Sequence, residues 1–168
     1  LITVDIPVAK IWEDQDNAYG LRPTSILVQL LQNGLAFGAP VALDDDNNWS
    51  HIFENLPMLD EESENYIYTI AELSSIPGYS ISYGETDGIL TITNTLDTVD
   101  VPIIKIWQDL NDLHDARPDS ITVQLLQNDI TFGQPVALNA GNLWSHTFEN
   151  LPMTDKFNDN YVYTVQEI

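Results

Sequence analysis

The chain is written twice. Lys10-Ile11-Trp12 recurs as Lys105-Ile106-Trp107, an offset of 105 − 10 = 95 residues. The same offset carries Arg22-Pro23 onto Arg117-Pro118, Val28–Asn33 onto Val123–Asn128, Phe53–Met58 onto Phe148–Met153, and Tyr68-Thr69 onto Tyr163-Thr164. Without a gap, 41 of the 73 aligned positions are identical. A unit of that length is the size of a small domain, so a tandem pair is expected rather than one larger fold. Residues 1–96 make a complete first repeat and residues 97–168 a second. The match ends at Ile168, the equivalent of Leu73, and the stretch from Ser74 to Thr95 has no counterpart. The second repeat is therefore expected to lack its last strands. The chain reads as an excised piece without a leader segment.

Within each repeat the apolar residues alternate with period two, the mark of half-buried strands. Val4, Ile6, Val8, Lys10 and Trp12 share one face of a first strand. Tyr66, Tyr68, Ile70 and Glu72 share a face further on, and Leu90, Ile92 and Asn94 do so near the end of the repeat. Asn33-Gly34 is a favoured hairpin turn, and Pro and Gly punctuate the gaps. Short strands separated by frequent turns predict an all-β fold, an antiparallel sandwich. The stretch from Asn17 to Thr24 is the one place where a turn of helix is expected.

Charge and composition narrow the function. With 26 acidic and 5 basic residues the formal charge is −21, which disfavours nucleic acid and anionic membranes as partners. A hydrophobic fraction of 43% supports real cores and argues against a disordered acidic tail. Without cysteine there are no disulfides or thiolate metal sites, so an extracellular protein of this kind needs another staple.

Three polar groups sit on apolar faces. Two of the three lysines, Lys10 and Lys105, occupy equivalent first-strand positions between apolar neighbours, although burying an unpaired ammonium is costly. Glu72 and Glu167 each end a Tyr-x-Tyr-Thr-x-x-Glu run, and Asn94 continues the face of Leu90 and Ile92. Taken singly, each has an ordinary reading: a snorkelling lysine, a solvated strand end and an asparagine bound to backbone. Together they allow specific chemistry. A desolvated lysine becomes a nucleophile, a buried protonated glutamate relays a proton, and a carboxamide is an electrophile that expels ammonia. The product is a Lys–Asn amide, formed once and without a cofactor.

At these residues the sequence resembles the B-type repeat domain of Gram-positive collagen adhesins, the Cna B-type domain. The matching pieces are KIWEDQDNAYGLRP, SILVQLLQNG, NNWSHIFENLP, YIYTIAEL, IPGYSI and ITNT, in order and at sensible spacing. The resemblance implies tandem immunoglobulin-like β-sandwiches and a stalk or spacer role in a cell-wall-anchored adhesin or pilin. It also implies a spontaneous isopeptide bond from Lys10 to Asn94, assisted by Glu72. Repeat two offers Lys105 and Glu167 but no matching asparagine, because Asn139, Asn142 and Asn150 lie in other motifs. Three explanations of that incomplete copy stay open: a cut or proteolysed piece, a domain that accepts a strand from another chain, or half of a split ligation pair. The resemblance points to an extracellular location on a Gram-positive cell wall and leaves any host ligand unassigned.

Other signals are weaker. Glu13, Asp14 and Asp16 crowd one loop, but Ala18 and Tyr19 break a calcium-loop spacing. His51 and His146 each lie between Trp and Phe, and packing is the expected role. Trp12 and Trp107 read as core, whereas Trp49 and Trp144 leave a sugar-binding surface as the alternative. No nucleophile elbow, phosphate loop or HExxH motif is present, so no enzyme with turnover is expected.

Overall fold

A computed structural model describes residues 2–168. The chain divides into two compact units, Leu1–Asp97 and Thr98–Ile168, and each is an immunoglobulin-like β structure.

In unit 1, β1 (Thr3–Glu13), β5 (Ser50–Pro57), β7 (Tyr79–Thr86) and β8 (Ile89–Leu96) form one sheet in the order β5-β1-β8-β7. The second sheet is built on β2 (Ser25–Gln32). It carries β3 (Leu35–Ala36) and β4 (Val41–Asp44), and also β6 (Tyr68–Glu72). Val8, Ile26, Val28, Leu30, Leu43 and Ile92 fill the space between the sheets. Full burial of a side chain such as Ile92 contributes about 2 kcal/mol.

Most pairings are antiparallel, but the first and last strands run parallel. Lys10 stands opposite Ile92, and Trp12 opposite Asn94. The two strands therefore enter and leave the unit at opposite ends, side by side. That pairing is not visible in a local sequence pattern, because it joins segments about eighty residues apart.

Several repeated motifs now have causes. In Phe53–Met58, Asn55 takes a left-handed φ of 56° and its N–H donates to Asp5 at 2.8 Å, where the β1–β5 register shifts. Asn150 and Asp100 repeat this arrangement in unit 2. In Val28–Asn33, buried Gln29 donates to the Leu30, Phe37 and Gly38 carbonyls. Gln32 donates to the Tyr68 hydroxyl, which donates to the Pro57 carbonyl, both at 2.7 Å. Asn33 and Gly34 both adopt positive φ, as the tight β2–β3 hairpin requires.

The turn of helix expected over Asn17 to Thr24 does not form. Gln15, Asp16 and Asn17 have φ values of 55°, 56° and 58°, incompatible with a right-handed helix. The single helical turn among the described residues is Ala140–Asn142, capped by Asn139.

Unit 2 repeats the second sheet closely. There β10 (Ser120–Gln127) carries β11 (Ile130–Thr131), β12 (Val136–Asn139) and β14 (Tyr163–Glu167). Its first sheet is reduced to β9 (Thr98–Ile104) and β13 (Ser145–Pro152). Counterparts of β7 and β8 are absent among the described residues. The consequence for β9 is direct: β1 continues to Glu13, whereas β9 stops at Ile104, and Lys105-Ile106-Trp107 does not continue the strand. Identical sequence takes different secondary structure because β1 has a parallel neighbour from Val8 onward.

Candidate functional site: a buried lysine, glutamate and asparagine

Strands β1, β6 and β8 converge on one polar spot inside unit 1. Lys10 is 7% exposed and Asn94 1% exposed, each flanked on its strand by residues of the core. Val8 and Trp12 lie on either side of Lys10, and Ile92 and Leu96 on either side of Asn94. Glu72 ends β6 in the opposite sheet and is half-buried. The Asn94 Nδ2 donates to Glu72 Oε1 at 3.2 Å, bridging the two sheets. Lys10 Nζ donates to the Ile11 carbonyl at 2.9 Å and lies 3.7 Å from the centre of the Trp12 ring.

The electrostatics follow from burial. Desolvation is the largest influence on Lys10 and lowers its pKa from 10.5 to about 8. Glu72 and Asp14 act in the opposite sense, and Arg22 adds to the lowering. Desolvation likewise raises the Glu72 carboxyl above its ordinary range, against the opposing effects of the Asn94 hydrogen bond and the Lys10 charge. Both groups are thus biased toward their neutral forms.

Two acceptors in the centre are buried without a hydrogen-bond donor, Glu72 Oε2 and Asn94 Oδ1. Buried orphans of this kind are costly. A single proton on Glu72 would lift the deficit at its own oxygen and make it a donor toward the carboxamide oxygen.

A second cluster meets the first at the Trp12 ring and was not anticipated from the sequence. Asp14, whose side chain is fully buried, accepts from Arg22 Nε at 2.9 Å and Arg22 Nη2 at 2.6 Å. It also accepts from the Asn17 N–H and the Tyr79 hydroxyl. Burial pushes the Asp14 carboxyl up, but these donors outweigh it and leave the carboxyl below its ordinary value. Arg22 stacks over Trp12 at 5.3 Å, and Trp12 meets Trp49 and Tyr79 edge-on at 5.2 and 5.4 Å. The signal was the shared spacing of Asp14 and Arg22 with Asp109 and Arg117, which form the same pair in unit 2. Trp49 is partly buried and packs against the core, and His51 packs edge-on against Phe53 at 4.7 Å.

Unit 2 brings Lys105 and Glu167 together differently. Lys105 Nζ lies 2.7 Å from Glu167 Oε2, with the two side chains 24% and 50% exposed. They border a cavity of about 220 Å³ lined by Ile103, Ile121, Val123, Leu138 and Val165.

Comparison with known proteins gives this geometry a setting. The model of the Cna protein B-type domain matches residues 6–95 and again 101–168. A collagen adhesin of Staphylococcus aureus is 34% identical over 168 residues, 95% of this chain. The chain spans 14% of that relative's length. The crystal structure of two B repeat units of the collagen binding protein of Staphylococcus aureus is similar over 98% of this chain and 44% of its own, at 31% identity and a TM-score of 0.59.

Proposed function

This chain belongs to the Cna protein B-type domain family, and from that membership we propose that it is a stalk or spacer segment of a cell-wall-anchored surface adhesin or pilin, stapled by a spontaneous Lys10–Asn94 isopeptide bond. The observation that carries this reading is the convergence of buried Lys10 and Asn94 with half-buried Glu72, and the hydrogen bond from Asn94 to Glu72.

The chemistry needs only these groups. Neutral Lys10 Nζ attacks Asn94 Cγ while the protonated Glu72 carboxyl donates to Oδ1. Glu72 then relays a proton from Nζ to Nδ2, the Cγ–Nδ2 bond breaks, and ammonia leaves. The Nζ–Cγ amide remains, and no group is regenerated for a second turnover. Placement in a water-poor interior supplies the effective concentration. No metal or redox step enters this reaction, and no host ligand is assigned to the segment.

The topology suits a load-bearing role. Tension on unit 1 enters β1 at one end and leaves β8 at the other, so it shears the parallel pair formed by Val8–Glu13 and Leu90–Thr95. A covalent link near the far end of that pair passes the load through Lys10 and Asn94 and spares residues 11–93. Pulling single molecules by their termini tests this. The 83 shielded residues correspond to roughly 290 Å of extended chain. That length should be missing from the unfolding steps of the parent protein and restored by Lys10→Ala. Its presence in the parent would refute the staple.

A second reading concerns unit 2. Beyond its pairing with β13, β9 has no further strand neighbour among the described residues, and the adjoining cavity holds the Lys105–Glu167 pair. A strand with the pattern of β8, laid parallel to β9, would place an asparagine beside Lys105. Incubation with a peptide copying Gly88–Thr95 should then give a covalent adduct that Lys105→Ala abolishes.

A further inference from the structure

The two units show the same lysine and glutamate in different arrangements. In unit 2 they form a direct, half-exposed ion pair. Both lysines lie over their own tryptophan ring, but in unit 1 Lys10 donates to the Ile11 carbonyl and Glu72 bonds to Asn94. An ammonium–carboxylate pair is the unreactive form of these groups, because the amine holds its proton and the carboxyl has lost its own. Something in unit 1 keeps them apart.

The β7–β8 hairpin is the structural difference. Asn94 on β8 supplies the electrophile. On β7, Tyr83 sits opposite Ile92 in the register and therefore shares the inner face of the sheet. Its hydroxyl accepts a hydrogen bond from the Glu72 backbone N–H at 3.1 Å. That bond joins the last residue of β6 to the edge strand of the other sheet. It holds the backbone from which the Glu72 carboxyl projects, within reach of Asn94. Tyr83 remains about half exposed, so removing its hydroxyl leaves the core packing unchanged.

We propose that Tyr83 is a positioning residue for self-cross-linking: by anchoring the Glu72 backbone it aims the carboxyl at the Asn94 carboxamide and away from the Lys10 amine. The inference rests on the isopeptide reading above. It makes the docking of β7 a precondition of reaction, so a partly folded chain keeps its lysine and glutamate as a harmless pair. The charged groups that act on Lys10 are Glu72 from β6, together with Asp14 and Arg22 from the loop that follows β1. Only Glu72 is released by loss of the Tyr83 bond.

The test is a time course of ammonia loss by intact mass after cell-free synthesis of the full chain, across a pH series, for the parent and Tyr83→Phe. In the variant Glu72 closes onto Lys10, and each unit by which the lysine pKa rises removes about nine-tenths of the neutral amine. We expect reaction roughly tenfold slower at neutral pH and an acidic limb of the rate profile moved to higher pH. A merely structural role would lower the rate evenly without moving the limb. Thermal unfolding of Lys10→Ala with and without Tyr83→Phe reports any folding defect separately. Reaction of the variant at the parent's rate and pH dependence, or an even loss at every pH, overturns the role of Tyr83 alone. A parent that never loses ammonia overturns the cross-link and this inference together.

Discussion

Replacing Glu72 with glutamine keeps the shape of the side chain and removes its capacity to relay a proton. The variant should fold around an unreacted Lys10 and Asn94 and retain its ammonia. The cross-link in the parent would close a loop from Lys10 to Asn94, 94 − 10 + 1 = 85 residues. By the chain-entropy argument developed for disulfides, closure of that size stabilises by about 4–5 kcal/mol, acting on the unfolded ensemble. For a domain of this size each kcal/mol shifts the melting temperature by about 4–8 °C, so unit 1 should melt about 16–40 °C lower in Glu72→Gln. The direct cost of the substitution is small beside this, because an amide can bond to Asn94 much as the carboxyl does. Scanning calorimetry of the whole chain, with intact mass on the same samples, reads both quantities. Two results would refute the reasoning: ammonia loss that persists in the variant, or a lost cross-link with the unit 1 transition displaced by only a few degrees.

Four further outcomes follow from the structure. Arg22→Ala strands the fully buried Asp14 carboxylate and should cost about 3 kcal/mol in urea unfolding of unit 1. Arg117→Ala should cost clearly less, because Asp109 is partly exposed. In Asn94→Ala, which cannot cross-link, folded Lys10 loses its proton near pH 8 while the unfolded chain holds it to 10.5. The unfolded state therefore binds more protons in that window, and stability measured by denaturant titration should rise between those pH values. Gln29→Leu removes the donor shared by the Leu30, Phe37 and Gly38 carbonyls. It should destabilise unit 1 by about 1–3 kcal/mol in the same assay.

The sequence carried the repeat, the strand character and the inward faces of Lys10 and Asn94, because period-two alternation directly encodes which side of a strand is buried. It did not carry the parallel seating of β1 on β8, which depends on tertiary pairing. The Asp14–Arg22–Tyr79 cluster was hidden for a related reason: Tyr79 is separated from Asp14 by 65 residues, and the acidic loop invited attention to calcium instead. The helical turn expected from Asn17 to Thr24 failed because Asn17 and Gly20 within it adopt left-handed backbone, a conformation that Asn and Gly tolerate. Tyr83 could have been suspected only once β6 and β7 were known to abut. Unit 2 shows the limit of local sequence most plainly, since Lys105-Ile106-Trp107 copies β1 and still does not continue β9.

The proposed amide between strands β1 and β8 is tested most directly by the intact mass of the purified chain, followed by a peptide map. The account predicts a protein one ammonia lighter than its sequence and a branched peptide joining the segments that hold Lys10 and Asn94. A protein of full sequence mass, with those two segments recovered as separate linear peptides, would contradict it.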